Sequence, residues 1–209
     1  KGVRELSKER DLSRFVVSTL KLPASEQPSR FCYGIALAPS GDLYLSKGTC
    51  IIRVDNTLTN AEVYAGVPAS SGFKAGPRRE AQFDTPLGLV CVGSVIYVAQ
   101  SHGVRSIESD YVSNFAGCAS SGWKDGPRED SKFNNPTHIT HLKGSLFITD
   151  SFNHCIRIIS PQGTVSSIGY GIKTSVDGPF SSAGFKYPRG IPVAHGEEGL
   201  LVTEFSGPY

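Results

Sequence analysis

Methionine is absent from the 209 residues and tryptophan occurs once. A chain that opens on Lys1 and holds no methionine reads as processed or as part of a longer protein. Long apolar runs are also missing. No stretch approaches the ~20 residues of a membrane span, and Lys1–Leu20 carries no signal-peptide pattern, so no membrane contact is expected within this segment. An excess of one charge is missing too. The 21 Lys and Arg against 19 Asp and Glu leave a net charge of +2, too little to point to nucleic acid or an acidic membrane. Cysteine is sparse: Cys32, Cys50, Cys91, Cys118 and Cys155 form no CxxC pair, which excludes a zinc ribbon. Their odd number argues against a complete disulfide framework. Free buried thiols are expected, and one or two disulfides of an exported protein stay open. No segment outside Gly2–Arg14 shows a sustained helical period, and nothing in the sequence names a compartment.

What is present is a repeat. Ala81-Gln82-Phe83-Asp84-Thr85-Pro86 recurs as Ser131-Lys132-Phe133-Asn134-Asn135-Pro136 and as Ala183-Gly184-Phe185-Lys186-Tyr187-Pro188. The phenylalanines are spaced by 50 and then 52 residues, and Gly76, Gly126 and Gly178 stand seven residues before them. Each glycine precedes a proline (Pro77, Pro127, Pro179), so the shared frame is G-P-x5-F-x2-P, and self-similarity at this pitch signals a stacked repeat architecture. Downstream of each frame come short apolar strands split by turn residues. Asp42–Ser46, Val95–Ala99, Ser145–Asp150 and Leu200–Glu204 read as second strands. Ile52-Arg53-Val54, Val104-Arg105-Ser106 and Ile156-Arg157-Ile158 read as third strands, and the fourth strands lead into Gly66, Gly117 and Gly169. One such unit buries too little to stand alone, so its sheets must stack. The repeated phenylalanine is expected as the plug between neighbours. Pro86, Pro136 and Pro188 stand just before an inner strand, where a missing N–H costs little. The Asp-Gly steps, Asp125-Gly126 and Asp177-Gly178, are expected to supply the positive-φ position of a tight turn.

The frame, followed by Leu146-Phe147-Ile148-Thr149-Asp150-Ser151-Phe152-Asn153-His154-Cys155-Ile156-Arg157, resembles the NHL repeat, with Asn153-His154-Cys155 where the Asn-His-Leu step falls. The resemblance runs from Phe15 to the C-terminus. Gly48-Thr49-Cys50 and Ser101-His102-Gly103 replace the step in other copies, and Ser46, Gln100 and Glu204 stand for Asp150. The resemblance implies an all-β fold: a β-propeller of four-stranded antiparallel blades, three of them full with parts of others, as part of a six-bladed ring. Residues 1–14 would be a linker or N-terminal extension. Residues 15–20 would be an outer strand, 30–66, 83–117 and 133–169 blades, and 185–209 a partial blade.

For function, three classes compete. A non-catalytic protein-binding or scaffolding module working through inter-blade loops comes first, associating in addition through exposed blade edges. A propeller lyase or hydrolase with a channel site, and single-stranded RNA binding on a basic loop face, are the alternatives. The loop candidates are Phe73, Lys74, Arg78, Trp123, Lys124, Arg128 and Arg189. Phe73 and Trp123 could stack bases, but Glu80, Asp125, Glu129, Asp130 and Asp177 in the same loops favour a mixed-charge rim. His138 falls where channel histidines lie in similar lyases, yet Gly34, Gly88 and Gly190 hold the matching positions. His102, His141, His154 and His195 occupy unrelated ones. No metal, cofactor or catalytic residue is therefore assigned. Asp150 and Glu204 are read as acceptors for nearby backbone donors ahead of a cation site, and whether the chain is an enzyme stays open, with the negative favoured.

Overall fold

The structure, a computed structural model, describes residues 32–194, 196 and 199–205. The proposed outer strand at 15–20, the extension at 1–14 and His195 lie outside the described residues. Short runs rich in Val, Ile and Tyr, cut by Gly, Pro and Asp, form strands β1 (Cys32–Leu37), β2 (Leu43–Lys47), β3 (Cys50–Val54) and β4 (Ala61–Ala65) of a first antiparallel sheet. The second sheet holds β5 (Gly76–Pro77), β6 (Leu89–Val92), β7 (Val95–Gln100), β8 (Gly103–Glu108) and β9 (Tyr111–Gly117) in the order β5-β9-β8-β7-β6. The third repeats this plan with β10 (Gly126–Pro127), β11 (Pro136–Leu142), β12 (Ser145–Asp150), β13 (Cys155–Ile159) and β14 (Thr164–Ile168), ordered β10-β14-β13-β12-β11.

Gly126 has the positive φ expected of its Asp-Gly step, at 119°, but the Gly-Pro steps pair as short strands and do not form tight turns. Gly76 pairs with Val112 and Pro77 with Tyr111, and Gly126 and Pro127 pair likewise with Val165 and Thr164. Each step thus caps the outer edge of the following sheet, a place where proline's missing N–H breaks no ladder.

The sheets pack face to face. Tyr44, Ile51 and Ala65 of the first meet Phe83, Leu89, Ile96 and Ile107 around the second. Ala99, Val104 and Ala116 of the second meet Phe133, Ile139, Leu146 and Ile148 around the third. Phe83 and Phe133 are fully buried between sheets, while Phe185 packs, partly buried, on the third sheet with Ile156, Ile168 and Ile191. Room for each ring comes from the glycine that ends the preceding fourth strand. A methyl group on Gly117, whose φ is +85°, would stand 3.0 Å from the ring of Phe133 and 2.6 Å from the carbonyl oxygen of His102. Gly66 and Gly169 face Phe83 and Phe185 in the same way.

The stack is open, and this corrects the expected propeller. The described residues form separate antiparallel sheets that do not close into a ring. Closure needs a neighbour on both terminal faces. At one end β1 leaves Tyr33, Ile35 and Leu37 exposed. At the other, the described residues from Phe185 onward contribute isolated bridges, Lys173 to Phe185, Pro188 to Glu204 and Val193 to Leu200, and no strand. The six-bladed ring, its blade loops and its blade edges go with that correction, and so does the NHL assignment that implied them.

Candidate functional site

The third sheet is built around a buried cation. Arg157, on β13, is completely buried. Its Nη1 donates to the Lys132 carbonyl at 2.6 Å and to Asp150 Oδ2 at 2.9 Å, and its Nη2 donates to the Lys124 carbonyl at 2.8 Å and to Asp125 Oδ1 at 2.7 Å. Its guanidinium also lies 4.6 Å from the centre of the Phe133 ring. A buried charge persists only when paired and hydrogen-bonded, and Arg157 meets both conditions. Burial pushes the Asp150 carboxyl up to about 6, against the lowering pull of Arg157 and the donors from Asn134 and Asn153. In the second sheet Arg105 holds the Lys74 and Gln82 carbonyls at 2.9 Å each, but Gln100 stands where Asp150 would. With no carboxylate beside it, burial lowers the Arg105 guanidinium to about 10.

The first sheet breaks this pattern. Leu45 pairs with Ile52 as Val98 pairs with Arg105 and Ile148 with Arg157. Ile52 therefore takes the buried position, while Arg53 points the other way to Asp42 and Glu62. The matched strand motif in the sequence conceals a one-residue offset, and one residue reverses the face.

Asp150, Glu204 and Gln100 share a task. They accept the backbone N–H of Asn134, Lys186 and Asp84 respectively, each two residues before a repeated proline. The residue between, Thr85, Asn135 or Tyr187, is left-handed, with φ of 49°, 55° and 47°. These side chains thus fix the crossing from one sheet to the next.

The rigid third sheet carries rings at the end where β12 turns into β13. A 3-10 turn, Ser151–Asn153, ends on His154 in the left-handed conformation. Asn153 Nδ2 donates to Asp150 and to the carbonyl of Gly122, 2.8 Å each, which ties this turn to the loop bearing Trp123. Trp123 Nε1 donates to Ser167 Oγ at 3.0 Å, and the ring lies against Gly171, where a methyl group would sit 2.1 Å from it. On the other side of the turn, His154 Nδ1 accepts the N–H of Tyr187 at 3.2 Å. The Tyr187 ring packs edge-on against His154 and Phe152, and Lys173 Nζ stands 4.5 Å from its centre. Burial and the Lys173 charge both lower the His154 imidazole, and because Nδ1 accepts the Tyr187 N–H, the neutral ring carries its proton on Nε2. Trp123, Phe152 and Tyr170 remain 45%, 41% and 36% exposed, so ring surface is available to a ligand at this end.

Of the loop residues singled out in the sequence, Trp123 belongs to this end and Lys124 follows it. Phe73 takes the matching place before the second sheet, 5.0 Å from the Arg105 guanidinium. Lys74 and Lys124 present their carbonyls to the buried arginines. Arg78 stacks on Tyr64 and pairs with Asp110, Arg128 stacks on Phe115, and Arg189 lies over Phe205. Arg78, Arg128 and Arg189 are each held by a neighbour, and with the ring absent the blade-loop scaffold has no geometry to rest on. His138 lies on β11 with Nδ1 buried and unpartnered among the described residues, and no three His, Cys, Asp or Glu among those residues gather as metal ligands. All five cysteines are free. A cavity of about 650 Å³ also lies between the third sheet and the C-terminal segment, lined by Phe147, Ile156, Phe180 and Leu200 with Asp177 and Glu204.

No family model and no curated protein matches the chain. Solved structures do. A structural-genomics protein of unknown function from Bacteroides thetaiotaomicron VPI-5482 superposes with a TM-score of 0.68 at 24% identity, covering 83% of this chain and 44% of that one. An auxiliary nutrient binding protein from the same organism gives 0.62 at 20% identity, over 82% of this chain and 44% of that one. Another auxiliary nutrient binding protein, from Bacteroides ovatus ATCC 8483, gives 0.63 at 18%, over 78% and 43%. This chain shares its fold with these proteins. It spans less than half the length of each, and at such identities the likeness is one of fold alone.

Proposed function

We propose that the chain is a non-catalytic binding module that takes a small soluble organic ligand on the ring-lined end of its third sheet. The observation that carries this is the set of exposed rings held by loops that a buried ion network makes rigid. Preorganised side chains lose little freedom on binding, so their contacts convert to affinity with small loss. Aromatic rings combine large contact area with a polar edge, a combination common in recognition surfaces. The fold likeness supports the same reading, since two of the similar structures are described as auxiliary nutrient binding proteins. Nothing in this arrangement places a nucleophile beside a base.

The test uses the chain's single tryptophan. Emission from Trp123 reports on this end and no other. Titration with a panel of sugars, nucleosides and amino acids, alongside thermal unfolding, should show one class that quenches or shifts the emission and raises the melting temperature. The ligand should be recovered chemically unchanged after prolonged incubation. A panel that leaves both signals flat contradicts the binding reading, and a converted ligand contradicts the non-catalytic one.

A further inference from the structure

We infer that the second sheet binds one small monovalent anion, of the chloride class, between Arg105 and Gln100. The two buried arginines of the repeat differ in what neutralises them. Arg157 faces two carboxylates, Asp150 and Asp125, as well as two carbonyls. Arg105 is just as completely buried, yet all its acceptors are neutral. Its Nε donates to the Ser113 carbonyl at 3.1 Å, and its Nη1 and Nη2 donate to the carbonyls of Gln82 and Lys74 at 2.9 Å each. Both positions that carry a carboxylate in the third sheet are changed. Gln100 stands for Asp150, and Ala75, before Gly76, stands for Asp125, before Gly126. A guanidinium has five N–H groups, so one on each terminal nitrogen of Arg105 lacks an acceptor among the described residues. On Arg157 the matching pair goes to the two carboxylates. The rings of Phe73 and Phe83, 5.0 and 5.4 Å from the Arg105 guanidinium, soften the charge without cancelling it.

The Gln100 amide supplies the second half of the site. Gln100 is completely buried, and its Oε1 accepts the N–H of Asp84 at 3.3 Å, as Asp150 Oδ1 accepts that of Asn134. Nε2 is thereby left on the side where Asp150 Oδ2 meets Arg157. It is buried and has no hydrogen-bond partner among the described residues, and the same holds for Nδ1 of His102 in the turn that follows. No acid answers these donors. Asp84 turns its carboxylate to the hydroxyls of Ser71 and Thr85, at 2.9 and 3.2 Å. Burial lowers Arg105 only to about 10, so it stays charged at neutral pH. A buried unpaired charge and a buried unpaired amide donor each cost free energy, and one anion accepting from Arg105 and from Gln100 Nε2 relieves both. The single positive charge suits a monovalent ion, and the complete burial of both side chains suits a small one. A phosphate group carries more charge and more acceptor oxygens than this site can match. His102 is only partly buried, which gives the ion a way in from solvent.

The experiment follows urea denaturation of the chain at constant ionic strength while sodium chloride replaces sodium gluconate, whose anion is too large for the site. One ion held by the folded chain alone should raise the folding constant by about tenfold for each tenfold rise in chloride above the dissociation constant. Sodium bromide should act in the same way. Gln100→Glu exchanges the amide nitrogen for a carboxylate oxygen at unchanged size and so supplies the charge that Asp150 has in the third sheet. That variant should be more stable than the parent in gluconate and indifferent to chloride. A parent whose stability ignores chloride overturns the inference. A chloride effect of equal size in Gln100→Glu overturns it as well, because it marks a general action of salt. Anomalous scattering from crystals grown in bromide gives a reading that needs no variant. One bromide should lie between Gln100 Nε2 and the Arg105 guanidinium, and a water molecule at that place, or bromide on the surface alone, overturns the assignment.

Discussion

Replacing Phe133 by alanine removes a ring that has no solvent contact and lies between the second and third sheets. Transfer of the lost apolar surface to water accounts for about 1.5–3 kcal/mol. A residual void on the order of 100 Å³, at about 24 cal/mol per Å³, adds about 2 kcal/mol if the sheets do not collapse onto it. Collapse is resisted on one side by the backbone of Gly117 and on the other by Arg157, whose carbonyl and carboxylate partners pin it in place. The loss of the ring also strips Arg157 of a cation–π contact. The expected destabilisation is about 3–5 kcal/mol, the usual range for such a truncation. Equilibrium urea denaturation followed by far-ultraviolet circular dichroism measures it. Phe185→Ala, where the ring is only partly buried, should cost clearly less. A Phe133→Ala loss below about 1 kcal/mol, or one equal to that of Phe185→Ala, would refute the view that the sheets share their core through these rings.

Other consequences follow from the same geometry. Thr85 is a β-branched residue at φ 49°, at the position that Asn135 fills in the next unit. Asparagine tolerates this conformation better, so Thr85→Asn should raise stability by about 0.5–1 kcal/mol in the same denaturation assay, and a loss would contradict the strain assigned to that crossing. Arg157→Met should cost about 3–5 kcal/mol, because it leaves the buried Asp150 carboxylate without its cation. Adding Asp150→Asn to that variant should recover part of the loss, and simple additivity of the two changes would show that the pair is not coupled. His154 should titrate below its ordinary value near 6.5. A lowered folded-state value means that the unfolded chain binds the proton first. Its contribution to stability is thus present above about 6.5 and is lost as the pH falls through the folded value. Proton NMR of the imidazole checks this, and a titration at or above 6.5 would contradict the burial and the Lys173 charge assigned to it.

The sequence carries the pitch of the repeat plainly. Phe83 and Phe133 map onto successive sheet junctions and Phe185 onto the outer face of the third sheet, and the glycines that close each fourth strand turn out to make room for those rings. Closure was not legible. Local periodicity dictates how one sheet packs on the next, whereas a ring depends on what meets the two terminal faces, and the described residues form separate sheets. The buried arginines show a subtler limit. Ile52-Arg53-Val54 and Ile156-Arg157-Ile158 look alike as strings, yet strand register buries Ile52 in one and Arg157 in the other. Trp123 could be singled out as an exposed ring beside a lysine. Phe152, His154 and Tyr187 could not be joined to it, because 31 residues separate Asn153 from its partner Gly122 and 33 separate His154 from Tyr187.

The indole N–H of Trp123 gives one resonance in a proton–nitrogen correlation spectrum, since the chain has one tryptophan. On addition of a ligand that raises the melting temperature, that resonance should move together with the backbone amides of His154 and Tyr187. A stabilising ligand that leaves all three in place, and shifts resonances of another region instead, would show that recognition happens elsewhere on this protein.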